Sequence, residues 1–323
     1  MDYETKGVRE LPHRQHTTRF TPPAALDDAV ARPWNQILFA LCGTDHPTAG
    51  MQRAVALCRV LGAELHLLRV LPELGPPQRG ASDGVEMPSP TSIEPHLCWL
   101  ERLLIDEISL DRVQVRRGAL VEQASARASE LRSDVIVLAP YETHCGTDVT
   151  ELVHKSGLPV LVARAASSSK VILAATNLDA PHFPVLAAAS ELAARFGSEV
   201  VAVHSVDPLS GMVCEGVASP IVRVDDTVAE KCAELLASVS PPLGPATRLV
   251  VSHEANPVSA ILYEARARDA DLLVVGTSPG SQWVATQIVD RVRSSVLVVP
   301  LTPTDASECA SASGSFSRNV PVG

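Results

Sequence analysis

Short apolar runs alternate with stretches whose apolar residues recur every three to four positions. The order is clearest in the second half of the chain. Residues 171–175 form a continuous apolar run, read as a strand. Residues 184–196 are Ala-rich at helical spacing and end at Gly197. Then come a strand at 199–204, a helix at 224–238, a strand in "ATRLVVS" (246–252) and a helix over 257–268. A strand at 272–275, a helix at 284–292 and a strand at 295–299 complete the series. The strands are apolar on both faces, as parallel strands between two helical layers are. Strands alternating with helices imply right-handed βαβ crossovers and a doubly wound sheet.

The pattern occurs twice. "GALVEQASARASELRSDVIVL" (118–138) matches "ANPVSAILYEARARDADLLVV" (255–275), including Asp134 against Asp271. "VLGAELHLLRV" (60–70) matches "RFGSEVVAVHS" (195–205), and "QILFALCGTD" (36–45) matches "VILAATNLDA" (171–180). "PVLVAR" (159–164) matches "SVLVVP" (295–300) at an offset of 136 residues. Four blocks in one order, with nearly constant offset, mark two homologous domains at 33–165 and 169–301. Three regions stand outside the repeat. Residues 1–32 are polar with little periodicity and are expected to be a flexible extension. Residues 74–95, rich in Pro, Gly and Ser, read as a mobile loop within the first domain. Residues 302–323 read as a disordered Ser/Ala/Gly tail.

Composition narrows the function classes. The chain of 323 residues is 46% hydrophobic but only 3% aromatic, so Val, Leu, Ile and Ala must build the core. The net charge of -10 argues against a nucleic-acid footprint and against attraction to anionic lipid. No apolar run reaches the ~18 residues of a membrane span, and the N-terminus lacks the apolar core of a secretory signal. A cytoplasmic location is expected. The seven cysteines are scattered, which argues against a disulfide framework. No G-x-S-x-G, H-E-x-x-H or P-loop lysine motif is present, so an ordinary hydrolase or kinase has no support.

"NPVSAILYEARARDADLLVVGT" (256–277), "SSVLVVP" (294–300) and "GLPVLVAR" (157–164) resemble the signature blocks of tandem universal stress proteins. The resemblance spans about 33–301. It implies two tandem five-stranded parallel doubly wound domains, Rossmann-like and of the adenine nucleotide alpha hydrolase-like kind. It implies intramolecular pairing of the two domains through their closing strands. It also points to a homodimer and an unidentified protein partner as candidate associations, with neither nucleic acid nor membrane involved. In nucleotide-binding members an Asp ends the first strand, and a loop of the form G-x2-G-x9-G-[ST] meets the phosphates.

This chain departs from that pattern. In the first domain the Asp position is Cys42, and Ala139 replaces the glycine after the fourth strand. Only Gly146 and Thr147 resemble the terminal Gly-Ser/Thr pair. In the second domain the Asp position is Asn177, which retains a carbonyl and adds an amide donor. Gly276 and Gly280 are present, Ser281 offers a hydroxyl or a helix cap, and Val203 on the second strand completes the implied pocket. ATP or AMP is the cofactor this pocket would take. The simpler alternative for 276–284 is a strand-to-helix turn, with Trp283 too bulky for phosphate to approach and large enough to fill an empty site.

Two smaller constellations remain. Cys42, His46, His144 and Cys145 bring two thiols and two imidazoles to neighbouring strand ends, a donor set suited to zinc; the alternative is unrelated loop residues. His66 and His204 read as strand histidines with satisfied rings. The expectation is a cytoplasmic, non-enzymatic stress-response module, with weak adenine-nucleotide binding in the second domain. The alternatives are a slow nucleotide hydrolase and an interaction protein with both pockets closed.

Overall fold

The computed structural model describes residues 16–19, 34–42, 48–71, 112–139, 146–164, 170–176, 184–205, 247–252, 256–279 and 282–301. Their first part contains strands β1 (His16–Arg19), β2 (Gln36–Cys42), β3 (Glu64–Leu71), β4 (Val113–Arg117), β5 (Val135–Leu138) and β6 (Val160–Val162). Helices α1 (Thr48–Leu61), α2 (Leu120–Leu131) and α3 (Gly146–Ser156) lie between them. The second part contains β7 (Val171–Ala175), β8 (Glu199–Ser205), β9 (Thr247–Ser252), β10 (Leu272–Thr277) and β11 (Ser295–Pro300), with helices α4 (Pro184–Phe196), α5 (Pro257–Ala267) and α6 (Trp283–Arg291).

The strands form one sheet in the order β1-β9-β8-β7-β10-β11-β6-β5-β2-β3-β4. From β4 to β6, and again from β9 to β11, neighbours run parallel. The two five-stranded parallel halves meet where β11 runs antiparallel to β6, with Val296 opposite Val162 and Val298 opposite Val160. At the far edge β1 pairs antiparallel with β9. Residues 16–19, within the expected flexible extension, thus form a strand. The physical reason is the ladder: β9 is an edge strand with unpaired backbone groups, and a short extended segment satisfies them.

Strand side chains alternate between two cores. One lies under α1 and α4 and includes Phe39, Leu57, Leu67, Leu186, Leu192 and Leu297. The other lies under α2, α3, α5 and α6 and includes Leu38, Ile136, Leu152, Ile261, Leu273 and Ile288. Each core runs through both halves. Aliphatic side chains suffice because every central strand is sandwiched between helices.

The repeated acid before the fourth strand has a structural role. Asp134 Oδ2 accepts hydrogen bonds from the Asn35 and Gln36 amides at 2.7 and 2.9 Å, anchoring the start of β2. Asp271 Oδ2 accepts from the Lys170 amide at 2.8 Å, beside the start of β7. Local signals also set the helix ends. Asn256 accepts from the Val258 amide at 3.0 Å and Pro257 opens α5. Gly197, at φ +68°, turns the chain out of α4.

Candidate functional site

An open parallel sheet offers its ligand crevice at the carboxyl ends of its strands, where the strand order reverses. Here the reversal falls between β2 and β5 in the first half, and between β7 and β10 in the second. The two crevices are built differently.

In the first half, Gly50 of α1 lies directly over the end of β5. A methyl on Gly50 would come within 2.9 Å of the Ala139 Cβ and 3.3 Å of the Ala163 carbonyl oxygen. Gly146 opens α3, but it does not face a free crevice. A methyl there would lie 2.6 Å from the Thr286 Cα of α6, and closer still to the Thr286 carbonyl oxygen. The Gly146 amide donates to Asp290 Oδ1 at 2.6 Å. A carboxylate from the second half therefore holds the amide of the residue that resembles the family's phosphate-contacting glycine. The Gly146–Thr147 pair is a helix-contact feature, and the Thr147 carbonyl accepts from the Thr150 hydroxyl at 3.0 Å.

In the second half, Gly276 ends β10 and Leu301 lies over its α-carbon. A methyl on Gly276 would come within 2.7 Å of a Leu301 Cδ. The Leu301 amide donates to the Thr277 carbonyl at 2.8 Å. Thr277 is buried, and its hydroxyl lies 3.2 Å from His154 Nε2, which reaches across from α3 of the first half. Val203 is a core residue: its side chain is buried and its carbonyl accepts from the Thr176 amide at 3.0 Å. His204 Nδ1 bonds the Thr176 carbonyl at 3.0 Å, and His66 Nε2 lies 2.9 Å from Gln36 Oε1. Helix α6 begins with Gln282 as its N-cap, making no side-chain cap bond; Ser281, the expected cap, lies outside the described residues. Trp283 does not fill the crevice; it is 52% exposed.

Asn177, Gly280 and Ser281 lie outside the described residues, as do His46, His144 and Cys145. Cys42 is described in its backbone only. Among the described residues no group of three or more His, Cys, Asp or Glu is placed to hold a metal ion.

The junction between the halves carries much of the polar chemistry. Arg164, just after β6, donates from Nη2 to the Val289 carbonyl at 2.7 Å and from Nη1 to the Ser294 carbonyl at 3.2 Å. Those carbonyls lie at the exit of α6, where a helix lacks internal donors. Burial lowers the Arg164 guanidinium below its ordinary value, and Asp290 opposes the shift. Arg53 of α1 lies 5.6 Å above the ring of Phe196 at the end of α4. Sequence reasoning missed Arg69, which is buried in β3 where the repeat places His204 in β8. Its signal was a charge inside the apolar run "LHLLRVL". Burial lowers its guanidinium too.

Two parallel five-stranded halves, each with its crevice between first and fourth strands, define a tandem Rossmann-like α/β protein. Residues 168–300 match the model of the Universal stress protein family. That segment matches the family, and the first half of the chain repeats the same fold. Solved structures agree. A Pseudomonas aeruginosa UCBPP-PA14 protein named for this family is 17% identical, with 82% of this chain and 93% of that chain covered, at TM-score 0.57. A functionally unknown protein of Pseudomonas aeruginosa PAO1 is 17% identical over 86% of this chain and 97% of its own, also at TM-score 0.57. A universal stress protein of Archaeoglobus fulgidus DSM 4304 is 12% identical over 83% of this chain and 97% of its own, at TM-score 0.51. At these identities the likeness is one of fold. A comparison with curated proteins gave no match. Among the described residues no helix is long and apolar enough to cross a membrane.

Proposed function

We propose that the chain is a cytoplasmic, non-enzymatic stress-response module made of two universal stress protein units, 33–165 and 169–301. The second unit binds an adenine nucleotide weakly at the carboxyl ends of β7 and β10. The observation that carries this reading is Trp283. The side chain bulky enough to plug that crevice is 52% exposed instead. The first unit is the scaffold: the amide equivalent to a phosphate contact is held by Asp290, and Gly50 packs on Ala139. Nucleotide ordering the 276–284 loop would shift the population of a surface that a partner protein reads. A hydrolase would need a group free to position water, and His204 and Thr277 are both engaged in internal bonds.

Leu301, packed over Gly276, favours a second reading, an interaction protein with both crevices closed. Calorimetric titration of the full chain with ATP and AMP, with Mg²⁺ present, separates the two. Saturable binding near one per chain, lost in Gly280→Val and accompanied by a change in Trp283 fluorescence, supports the nucleotide pocket. No heat and no thermal stabilisation at millimolar nucleotide overturns it in favour of the interaction protein.

A further inference from the structure

A concavity of about 420 Å³ lies on the helical face of the second half, between the C-terminal ends of α5 and α6. It faces the amino ends of β10 and β11, the opposite end of the sheet from the nucleotide crevice. Leu262, Ala265, Ala270 and Val292 give it an apolar floor. Arg266, Arg291 and Arg293 line it, with Asp269 as the only carboxylate among the lining residues. All three arginines are exposed, and no side chain among them makes an ion pair or hydrogen bond with another described residue. The lining thus carries a surplus of positive charge in a chain whose net charge is -10.

The ordinary explanation for arginines at helix C-termini is that they satisfy the last carbonyls and complement the helix dipole. Several of the carbonyls here already have other donors. At the end of α5, the Arg268, Asp269 and Ala270 amides return to the Glu264, Arg266 and Ala265 carbonyls at 3.1, 3.2 and 2.9 Å. The Ser294 hydroxyl donates to the Ala270 carbonyl at 2.6 Å. At the end of α6, the Val292 amide returns to the Ile288 carbonyl at 3.0 Å, and Arg164 covers the Val289 and Ser294 carbonyls from below. Arg293 lies beyond α6 altogether, in the turn before β11. Three arginines therefore line one hollow without an ion pair or side-chain hydrogen bond to another described residue.

We infer that this hollow binds a small phosphate monoester, its dianion held by Arg266, Arg291 and Arg293 and its organic part resting on Leu262, Ala265 and Val292. Guanidinium forks match phosphate oxygens in paired hydrogen bonds, which gives the charge preference. The volume suits a small organic ligand rather than a bare ion. A free ester fits better than a lipid headgroup, because the chain's acidic net charge opposes approach to an anionic bilayer.

The test uses the full chain with phenyl phosphate, inorganic phosphate and phenol as probes, read by calorimetry. Phenyl phosphate should bind saturably, more tightly than inorganic phosphate, and phenol should not bind. The double variant Arg291→Ala/Arg293→Ala should weaken phenyl phosphate by about tenfold or more, since charge-assisted hydrogen bonds are lost. Both arginines are exposed, so the double variant should keep the wild-type melting temperature, and Arg266→Ala alone provides a second reading at reduced effect. No saturable binding by the wild type, or equal affinity in the arginine variants, overturns the inference. So does arginine-dependent retention on phosphatidic acid vesicles without any binding of the free ester. ATP binding that survives the double variant leaves the nucleotide crevice a separate matter.

Discussion

Replacing Gly146 with alanine should loosen the junction between the two halves of the sheet. The added methyl would sit 2.6 Å from the Thr286 Cα and 2.8 Å from its carbonyl carbon. Both are backbone atoms within α6, so no side-chain rotation relieves the clash. Carbon atoms in contact settle at about 3.5–4.0 Å, so α3 and α6 must separate by about 1 Å. Overpacking of this kind costs about 1–3 kcal/mol. The shift also stretches the bond from the Gly146 amide to the exposed Asp290 carboxylate, worth about 1 kcal/mol more. The sum is about 2–4 kcal/mol, and at about 2 °C per kcal/mol for a chain of this size the melting temperature should fall by about 4–8 °C. Circular dichroism at 222 nm during a thermal ramp measures it. Gly197→Ala is the control: nothing lies within reach of a methyl there, so only the left-handed backbone, at φ +68°, contributes, about 1 kcal/mol. If Gly146→Ala melts no lower than Gly197→Ala, the helices are not in backbone contact at this point and the account of the junction is wrong.

Arg164→Ala should lower stability by about 1–3 kcal/mol in urea denaturation, because the Val289 and Ser294 carbonyls lose their donors. Arg164→Lys should recover little of it, since one ammonium cannot span both oxygens as the guanidinium fork does. Asp134→Ala should destabilise by about 1–3 kcal/mol by freeing the Asn35 and Gln36 amides, while Asp134→Asn recovers part of the loss in the same assay. Burial pushes the Cys58 thiol up to about 12. It should therefore stay protonated at pH 8 and escape iodoacetamide in the native chain, which peptide mass spectrometry can check; rapid native labelling of Cys58 would contradict its buried setting.

Local chemistry was legible wherever the constraint is local. Asn256 and Pro257 start α5 because a cap and a fixed φ act within three residues, and Gly197 ends α4 because the left-handed turn is its own. The paired asparates at 134 and 271 showed as a repeat, but what they hold is far along the chain, at residues 35 and 170. Gly146 hides its partner for the same reason. A glycine before a threonine at a helix start looks like a phosphate contact, yet its constraint is Thr286, on a helix of the other half. Trp283 was expected to fill space on grounds of size alone, and size does not say which way a side chain at a helix start will turn.

Strand β1 is four residues long, and its partner β9 follows roughly 230 residues later. At about 5–20 residues per second, synthesis leaves the first strand waiting roughly 10–50 seconds for the edge it will cover. Until then the growing sheet has no finished border on that side, and once β9 emerges the opening belongs to whichever strand arrives first. A neighbouring chain's β1 would fit as well as the chain's own. The same four residues that seal the border of the finished molecule thus set a window for exchange between nascent copies, and the crowding of ribosomes on one message would decide how often it is used.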